Sequence, residues 1–141
     1  MAKKKIRLQV LTPTETKFDK EIDMVIFRCM NGDMGVLPGH EARSAALDYG
    51  IMRIIEGEEE RLLAIYSGIA EILDNVVTVV ANDAEWPEDI DLAQAELDRE
   101  QARQRLGDKE DDLEMQRAHV MLRRSLVQIE VSSYSVAQNR H

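Results

Sequence analysis

From Ile6 to Val80 apolar residues alternate with polar ones or fall in short β-branched runs, broken by Gly, Asn, Asp and Pro roughly every ten residues. This rhythm predicts short strands. Ile6-Arg7-Leu8-Gln9-Val10-Leu11 alternates cleanly, and Thr12-Pro13-Thr14 turns the chain into Lys17-Phe18-Asp19. Residues 24–27, 51–55, 62–66, 69–73 and 76–80 follow as further strands. Glu56-Gly57-Glu58-Glu59-Glu60 is too charged and flexible for anything but a hairpin tip, and Ser67-Gly68 and Asp74-Asn75 read as turn dipeptides. The expectation is an antiparallel β-sandwich with meander-like pairing. At about 25 cal/mol/Å² its inward Leu, Ile and Val suffice to hold a domain of this size without metal or disulfide.

After Asn82-Asp83 the pattern changes. Aromatics almost stop, Ala, Gln, Glu and Arg rise, and the single tryptophan sits in Glu85-Trp86-Pro87. That places a sandwich domain at residues 1–84 and a C-terminal two-helix hairpin at 88–141, with Trp86-Pro87 as the hinge. Asp89 or Asp91 caps the first helix, the latter with Gln94 in capping-box spacing, and Leu92, Ala95, Ala102 and Leu106 line one face. Gly107 ends it. Asp111-Asp112 open a second helix, with Leu113, Val120 and Val127, and also Ala118, Met121 and Ile129, as its apolar stripe. Ala dominates the first helix and Arg99 interrupts its stripe. Helices of about 24 and 30 Å would therefore bury little between them, and the hairpin is expected to be a marginally stable appendage.

Net charge is −9, shared almost evenly: ten basic and fifteen acidic residues over 1–86, eight and twelve over 87–141. Neither part offers the clustered Lys and Arg that nucleic acid demands, so nucleic acid is excluded as a partner. The one basic run, Lys3-Lys4-Lys5, reads as a solvated tail. Cys29 is the only cysteine, which excludes an intramolecular disulfide and suits a reducing compartment. No apolar run approaches the roughly 20 residues of a membrane span, nor does the N-terminal stretch resemble a secretion signal, so any membrane role is expected to be indirect.

The densest stretch is Asn31-Gly32-Asp33-Met34-Gly35-Val36-Leu37-Pro38-Gly39-His40-Glu41. Three glycines and His40 between acids invite a metal or acid/base reading. The other histidines, His119 and His141, lie far along the chain, and no His-Glu-x-x-His, Gly-x-Ser-x-Gly or P-loop spacing occurs. The expectation is a stiff loop of positive-φ turns with Asp33 and His40 as exposed polar contacts, and no catalytic or metal site.

Gly32-Asp33-Met34-Gly35-Val36-Leu37-Pro38-Gly39-His40 resembles the Gly-Glu-Leu-Gly-Ile-Leu-Pro-Gly-His stretch of the epsilon subunit of bacterial F-type ATP synthases. Gly50-Ile51-Met52-Arg53-Ile54 resembles that family's next strand, Tyr66-Ser67-Gly68-Ile69-Ala70-Glu71-Ile72 its Ser-Gly-Gly-x-x-Glu-Val, and Val77-Thr78-Val79-Val80-Ala81 its closing strand. The resemblance covers essentially the whole chain. It implies a non-catalytic rotor subunit of the central stalk, a peripheral protein on the cytoplasmic face of the cell membrane. The sandwich is then expected to bind the gamma stalk and the c-ring, coupling ion flow to ATP synthesis. The hairpin is expected to switch between a compact form and an extended one that reaches the alpha and beta subunits and blocks ATP hydrolysis.

By position, Asp33 and His40 carry over as contacts to the c-ring or gamma subunit, with Glu41 and Arg43 beside them. Here the chain departs from the family: His40-Glu41-Ala42-Arg43-Ser44-Ala45 replaces His-Ala-Pro-Leu-Leu-Thr. Some members bind ATP through Ile/Leu-Asp-x-x-Arg-Ala, whereas Ile90-Asp91-Leu92-Ala93-Gln94-Ala95 carries Gln94 in place of the arginine. An amide cannot replace a guanidinium against phosphate. No tightly held cofactor is expected, ATP being at most a weak ligand through Ile90, Asp91, Arg99 and Arg103. Arg117, Arg123 and Arg124 are expected contacts to the catalytic head; their alternative is a solvated helix face with i,i+4 pairing. Rival functions are a free-standing nucleotide-sensing module and a small hydrolase using His40.

Overall fold

The computed structural model describes residues 4–107 and 112–139. Lys3, Asp111 and His141 lie outside the described residues. Internal packing divides the chain into two compact units, Met1–Glu85 and Trp86–His141.

The first unit is built from β1 (Ile6–Leu11), β2 (Thr16–Ile22), β3 (Met24–Cys29), β4 (Gly32–Val36), β5 (Arg43–Glu56), β6 (Glu59–Leu73), β7 (Val76–Ala81) and the short β8 (Ala84–Glu85). They form one continuous sheet in the order β2-β1-β7-β6-β5-β3-β4, with β8 against β6. The long β5 and β6 belong to both layers of the sandwich. Their first and last segments pair in separate neighbourhoods, β6 with β7 over 68–73 and with β8 at Ala64 and Ile65. Neighbouring strands are antiparallel except β1 and β7, which run parallel from Arg7↔Val76 to Leu11↔Val80. A parallel pair needs a long crossover, and here nearly the whole unit intervenes between its strands.

Period-two alternation turns Ile6, Leu8 and Val10, Val25 and Phe27, Met52 and Ile54, Ala70 and Ile72, and Val77 and Val79 inward, all buried. Register stacks them across strands: Leu8 faces Val77, Val10 faces Val79, and Ile72 faces Val77 from the other side. Each fully buried Leu, Ile or Phe contributes about 1.5–3 kcal/mol, so this core needs no staple. Buried Asp23 ties the sandwich ends together: its Oδ2 accepts the Gly57 N–H at 2.6 Å and its Oδ1 lies 3.2 Å from Lys5 Nζ.

Two expectations are corrected. Ser67-Gly68 is not a turn; β6 runs through it, bending where Ser67 has φ 60° and Gly68 φ 150°. A Cβ on Gly68 would stand 2.3 Å from the Val80 carbonyl oxygen, so only glycine lets β7 approach. Nor is the whole glycine-rich stretch a loop. Residues 32–36 pair with β3 from Cys29↔Gly32 to Val25↔Val36, because a tight reversal at Met30-Asn31, closed by Gly32 at φ 119°, lays them alongside it. The Gly57 and Asp74-Asn75 turns form as expected, with φ 61°, 50° and 64°.

In the second unit a 3-10 turn, Pro87–Asp89, precedes α1 (Leu92–Gly107) and α2 (Asp112–Asn139). The turn and α1 both pack on α2. Asp91 caps α1, its Oδ1 accepting the Gln94 N–H at 3.1 Å, while the Gln94 side chain turns forward to Asp98 and leaves the capping box half closed. At 28 residues α2 is about 42 Å long, well beyond the expected 30 Å. No Gly or Pro follows Gly107, and Ser133 continues the helix by donating its hydroxyl to the Ile129 carbonyl at 3.1 Å.

The apolar stripes follow expectation at Ala95, Ala102, Ala118 and Val127 and depart from it elsewhere. Leu92, Leu113 and Val120 are exposed, whereas Ala95, Ala102, Ala118, Ser125, Val127 and Val131 are buried. Small residues let helices approach closely, so they and not the bulkiest side chains occupy the inward faces.

Candidate interaction surfaces

Three surfaces stand out, two of which carry the residues singled out by sequence. The first begins at the β3–β4 reversal. Asp33 stands opposite Arg28 in register, and its Oδ1 lies 3.7 Å from Arg28 Nε, an ion pair too long for a hydrogen bond. The exposed tip is pinned to β5 where the Met30 N–H donates to the Ala46 carbonyl at 3.0 Å. Asp33, Arg43 and Cys29 line one open groove of about 430 Å³. Burial pushes the Cys29 thiol above its ordinary pKa; Arg43 opposes that shift and Asp33 adds to it.

Leu37-Pro38-Gly39-His40 forms a β-turn in which the His40 N–H donates to the Leu37 carbonyl at 3.2 Å. Pro38 fixes the second position and Gly39, at φ 86°, supplies the third, the geometry of a type II turn. The turn is anchored by the Gly39 N–H donating to Asn75 Oδ1 at 2.7 Å, which joins it to the β6–β7 reversal. His40 Nδ1 lies 2.7 Å from the Glu41 carbonyl, to which it donates. The structure thus brings Asp33 and Arg43 to one groove and holds His40 and Glu41 on a separate rigid turn. His40 is half-buried, not fully exposed as expected. Among the described residues no three His, Cys, Asp or Glu side chains gather into a group able to hold a metal.

The second surface was missed. Ile69 and Leu73 on β6 and Val76 and Val80 on β7 point outward, exposed by 60, 49, 37 and 54 %. Register places Ile69 against Val80 and Leu73 against Val76, with exposed Glu71 opposite Thr78 between the two pairs and Leu11 of β1 beside Val80. Exposed apolar side chains grouped on one sheet face and interleaved with polar ones suit a site of association. Val76-Val77-Thr78-Val79-Val80 held the signal: an apolar run without alternation means that both faces of the strand are covered in use.

The third lies on the hairpin. Leu113, Val120 and Met121 with Arg117, Arg124, Gln116 and Asp98 line an open groove of about 490 Å³. Arg117 Nη1 is 3.2 Å from Glu114 Oε1 one turn back. Arg123 is exposed, and it and Arg124 are both engaged with other groups. The residues expected for ATP do not converge. Asp91 is spent as a cap, half-buried Ile90 donates its N–H to the Pro87 carbonyl at 3.2 Å, and Arg103 stands exposed about 18 Å along the helix from Asp91. Among the described residues no helix is long and apolar enough to cross a membrane.

Comparison with known proteins decides the family. Residues 5–87 match the β-sandwich domain of the ATP synthase delta/epsilon chain, and residues 88–133 match its long α-helix domain. The chain belongs to the ATP synthase epsilon family. The ATP synthase epsilon chain of Bacillus velezensis is 33 % identical over 129 residues, covering 92 % of this chain and 98 % of that one. That of Syntrophobacter fumaroxidans is 35 % identical over 128 residues, covering 91 and 96 %. The chloroplastic epsilon chain of Panax ginseng is 36 % identical over 125 residues, covering 89 % of each. A chain from the Euglena gracilis mitochondrial ATP synthase, solved as OSCP/F1/c-ring, shares the fold at TM-score 0.80 and 24 % identity, over 94 % of this chain and 81 % of that one. A chain from the Tetrahymena thermophila mitochondrial ATP synthase central stalk and c-ring shares it at TM-score 0.62 and 11 % identity, over 94 and 99 %. The family's sandwich and helical domains thus coincide with β1–β8 and α1–α2, in that order.

Proposed function

We propose that this epsilon-family chain is a non-catalytic rotor subunit that couples ion flow to ATP synthesis through its sandwich and restrains ATP hydrolysis through its hairpin. The observation that carries this reading is that both family domains are present in order, each folded as a compact unit with its own exposed surface. The sandwich presents two surfaces suited to different neighbours. The face bearing exposed Ile69, Leu73, Val76 and Val80, with Glu71 and Thr78 between them, suits a lasting contact, for which the gamma stalk is the natural occupant. The rigid polar turns bearing Asp33, His40, Glu41 and Arg43 suit a wetter contact with the polar loops of a c-ring. On the hairpin, Arg117 and Arg124 line an apolar groove and, with exposed Arg123 beside Arg124 in the chain, fit acidic helical surfaces of the alpha and beta subunits. Through this complex the chain sits peripherally on the cytoplasmic face of the membrane.

The test is recovery of the complex. A tagged chain pulled down from detergent-solubilised membranes brings alpha, beta and gamma subunits with it, and a clean preparation lacking all three contradicts the reading. Truncation after Asp89 then raises the ATPase rate of the assembled head if the hairpin restrains it; an unchanged rate leaves only the coupling role. Titration with ATP separates the nucleotide-sensor alternative, which requires saturable protection of the hairpin in hydrogen exchange without the other subunits.

A further inference from the structure

Among the described residues of the hairpin, one buried side-chain donor lacks a hydrogen-bond partner. Ala95 and Ala102 are the buried residues of α1, and Arg99 lies four residues after the one and three before the other, on the same face. Its Nε is buried and has no hydrogen-bond partner. Asp98, next in sequence, accepts from Gln94 at 2.9 Å, and the Ser125 hydroxyl, buried on α2, donates to the Leu122 carbonyl of its own helix at 2.9 Å; neither bonds the Arg99 Nε. The other buried residues of the hairpin among those described, Ala95, Ala102, Ala118, Val127 and Val131, carry no side-chain acceptor. A buried donor of a charged group left without a partner loses its hydration and gains nothing in return.

We propose that Arg99 is a built-in weak point that holds the closed hairpin near its opening equilibrium. The rest of Arg99 is half-buried, so the effect is confined to its Nε: when α1 and α2 part, this donor regains water, and the hydration it lost on closing returns as a driving force for opening. Small residues at positions 95, 102, 118 and 125 act in the same direction, because alanine methyls contribute little apolar area to oppose it. The stem of Arg99 still packs as an apolar chain, which explains how the residue is tolerated on this face. The regulatory consequence rests on the reading of the hairpin as the restraining element proposed above; the effect on hairpin opening does not.

The test is hydrogen exchange on the full-length chain, with the sandwich amides as internal control. Arg99→Met keeps the length of the stem and removes the donor. It is expected to slow exchange of the α1 and α2 amides about tenfold or more, leaving sandwich amides unchanged. Arg99→Lys keeps a charge and is expected to stay within about threefold of the parent. Arg99→Leu serves as a second apolar replacement should the methionine variant fold poorly. Unchanged or faster hairpin exchange in both apolar variants overturns the proposal. So does protection of the parent that rises with ATP and fails to rise in Arg99→Met, since that would make Arg99 a ligand-binding group. In the assembled complex Arg99→Met is expected to raise ATP hydrolysis. Slower hairpin exchange with unchanged hydrolysis leaves the weak point standing and removes the regulatory reading.

Discussion

The two units bury different kinds of side chain. In the sandwich, Ile6, Leu8, Phe27, Met52, Leu63 and Ile72 are all but completely removed from water, and they come from strands far apart in sequence. In the hairpin the buried set is Ala95, Ala102, Ala118, Ser125, Val127 and Val131, with Leu92, Leu97, Leu113 and Val120 left facing solvent. A buried Leu or Phe contributes about 1.5–3 kcal/mol and each CH₂-sized group about 0.8 kcal/mol, so hairpin packing is several-fold weaker per residue. The same chain thus contains a scaffold packed with large side chains and an appendage packed with small ones. Local opening is drawn from the low-stability end of a structure, and the expectation is that here a whole unit forms that end.

The largest effect that could break this comparison comes from the sandwich core. Phe27→Ala removes a side chain only 1 % exposed and is expected to cost about 3–5 kcal/mol, read as a fall in the denaturant midpoint. A loss below 1 kcal/mol would mean that the sandwich is no better packed than the hairpin. Gly68→Ala comes next, because its Cβ would press on the β7 backbone; a loss of about 1–3 kcal/mol is expected in thermal unfolding. Asp91→Ala acts on the other unit. Losing the cap on Gln94 is expected to cost α1 about 1 kcal/mol, seen as faster exchange of α1 amides with the sandwich untouched.

The smallest effect is electrostatic. The Arg7 guanidinium donates to Asp19 Oδ1 at 2.8 Å and holds that carboxyl below its ordinary pKa. The folded pKa is lowered, so the stabilisation is present above the unfolded Asp value and is lost as pH falls through the folded one. Both side chains are well exposed and screened by water. Arg7→Met is therefore expected to flatten the acid limb of the stability curve only slightly, and a midpoint shift as large as that of Gly68→Ala would contradict this placement.

Much of the sandwich was legible because alternation is a direct projection of one-sided burial. Ile6 to Leu11, the charged tip around Gly57 and the Asp74-Asn75 turn all announce themselves in local chemistry. Residues 32–36 do not, since two glycines and one aspartate among five carry no alternation and become a strand only by lying against β3. Ser67-Gly68 misled for the opposite reason: its turn-like composition serves a bend within a strand whose pairing continues on both sides. In the hairpin, cap and stop signals placed α1, and Val127 and Ala118 of the expected α2 stripe are buried, but Leu113 and Val120 face solvent, because close helix packing selected small residues over large there. The polar turns bearing Asp33 and His40 could be found from motif spacing. Their separation into a groove and a rigid turn could not, since it depends on Asn75 reaching across from another reversal.

The central claim is that the hairpin opens as a unit while the sandwich stays folded. Native-state hydrogen exchange of the full-length chain across a series of low denaturant concentrations tests it most directly. Amides of α1 and α2 are predicted to share one opening free energy clearly below that of the amides in β1, β6 and β7. A single common opening free energy for strands and helices would contradict the account.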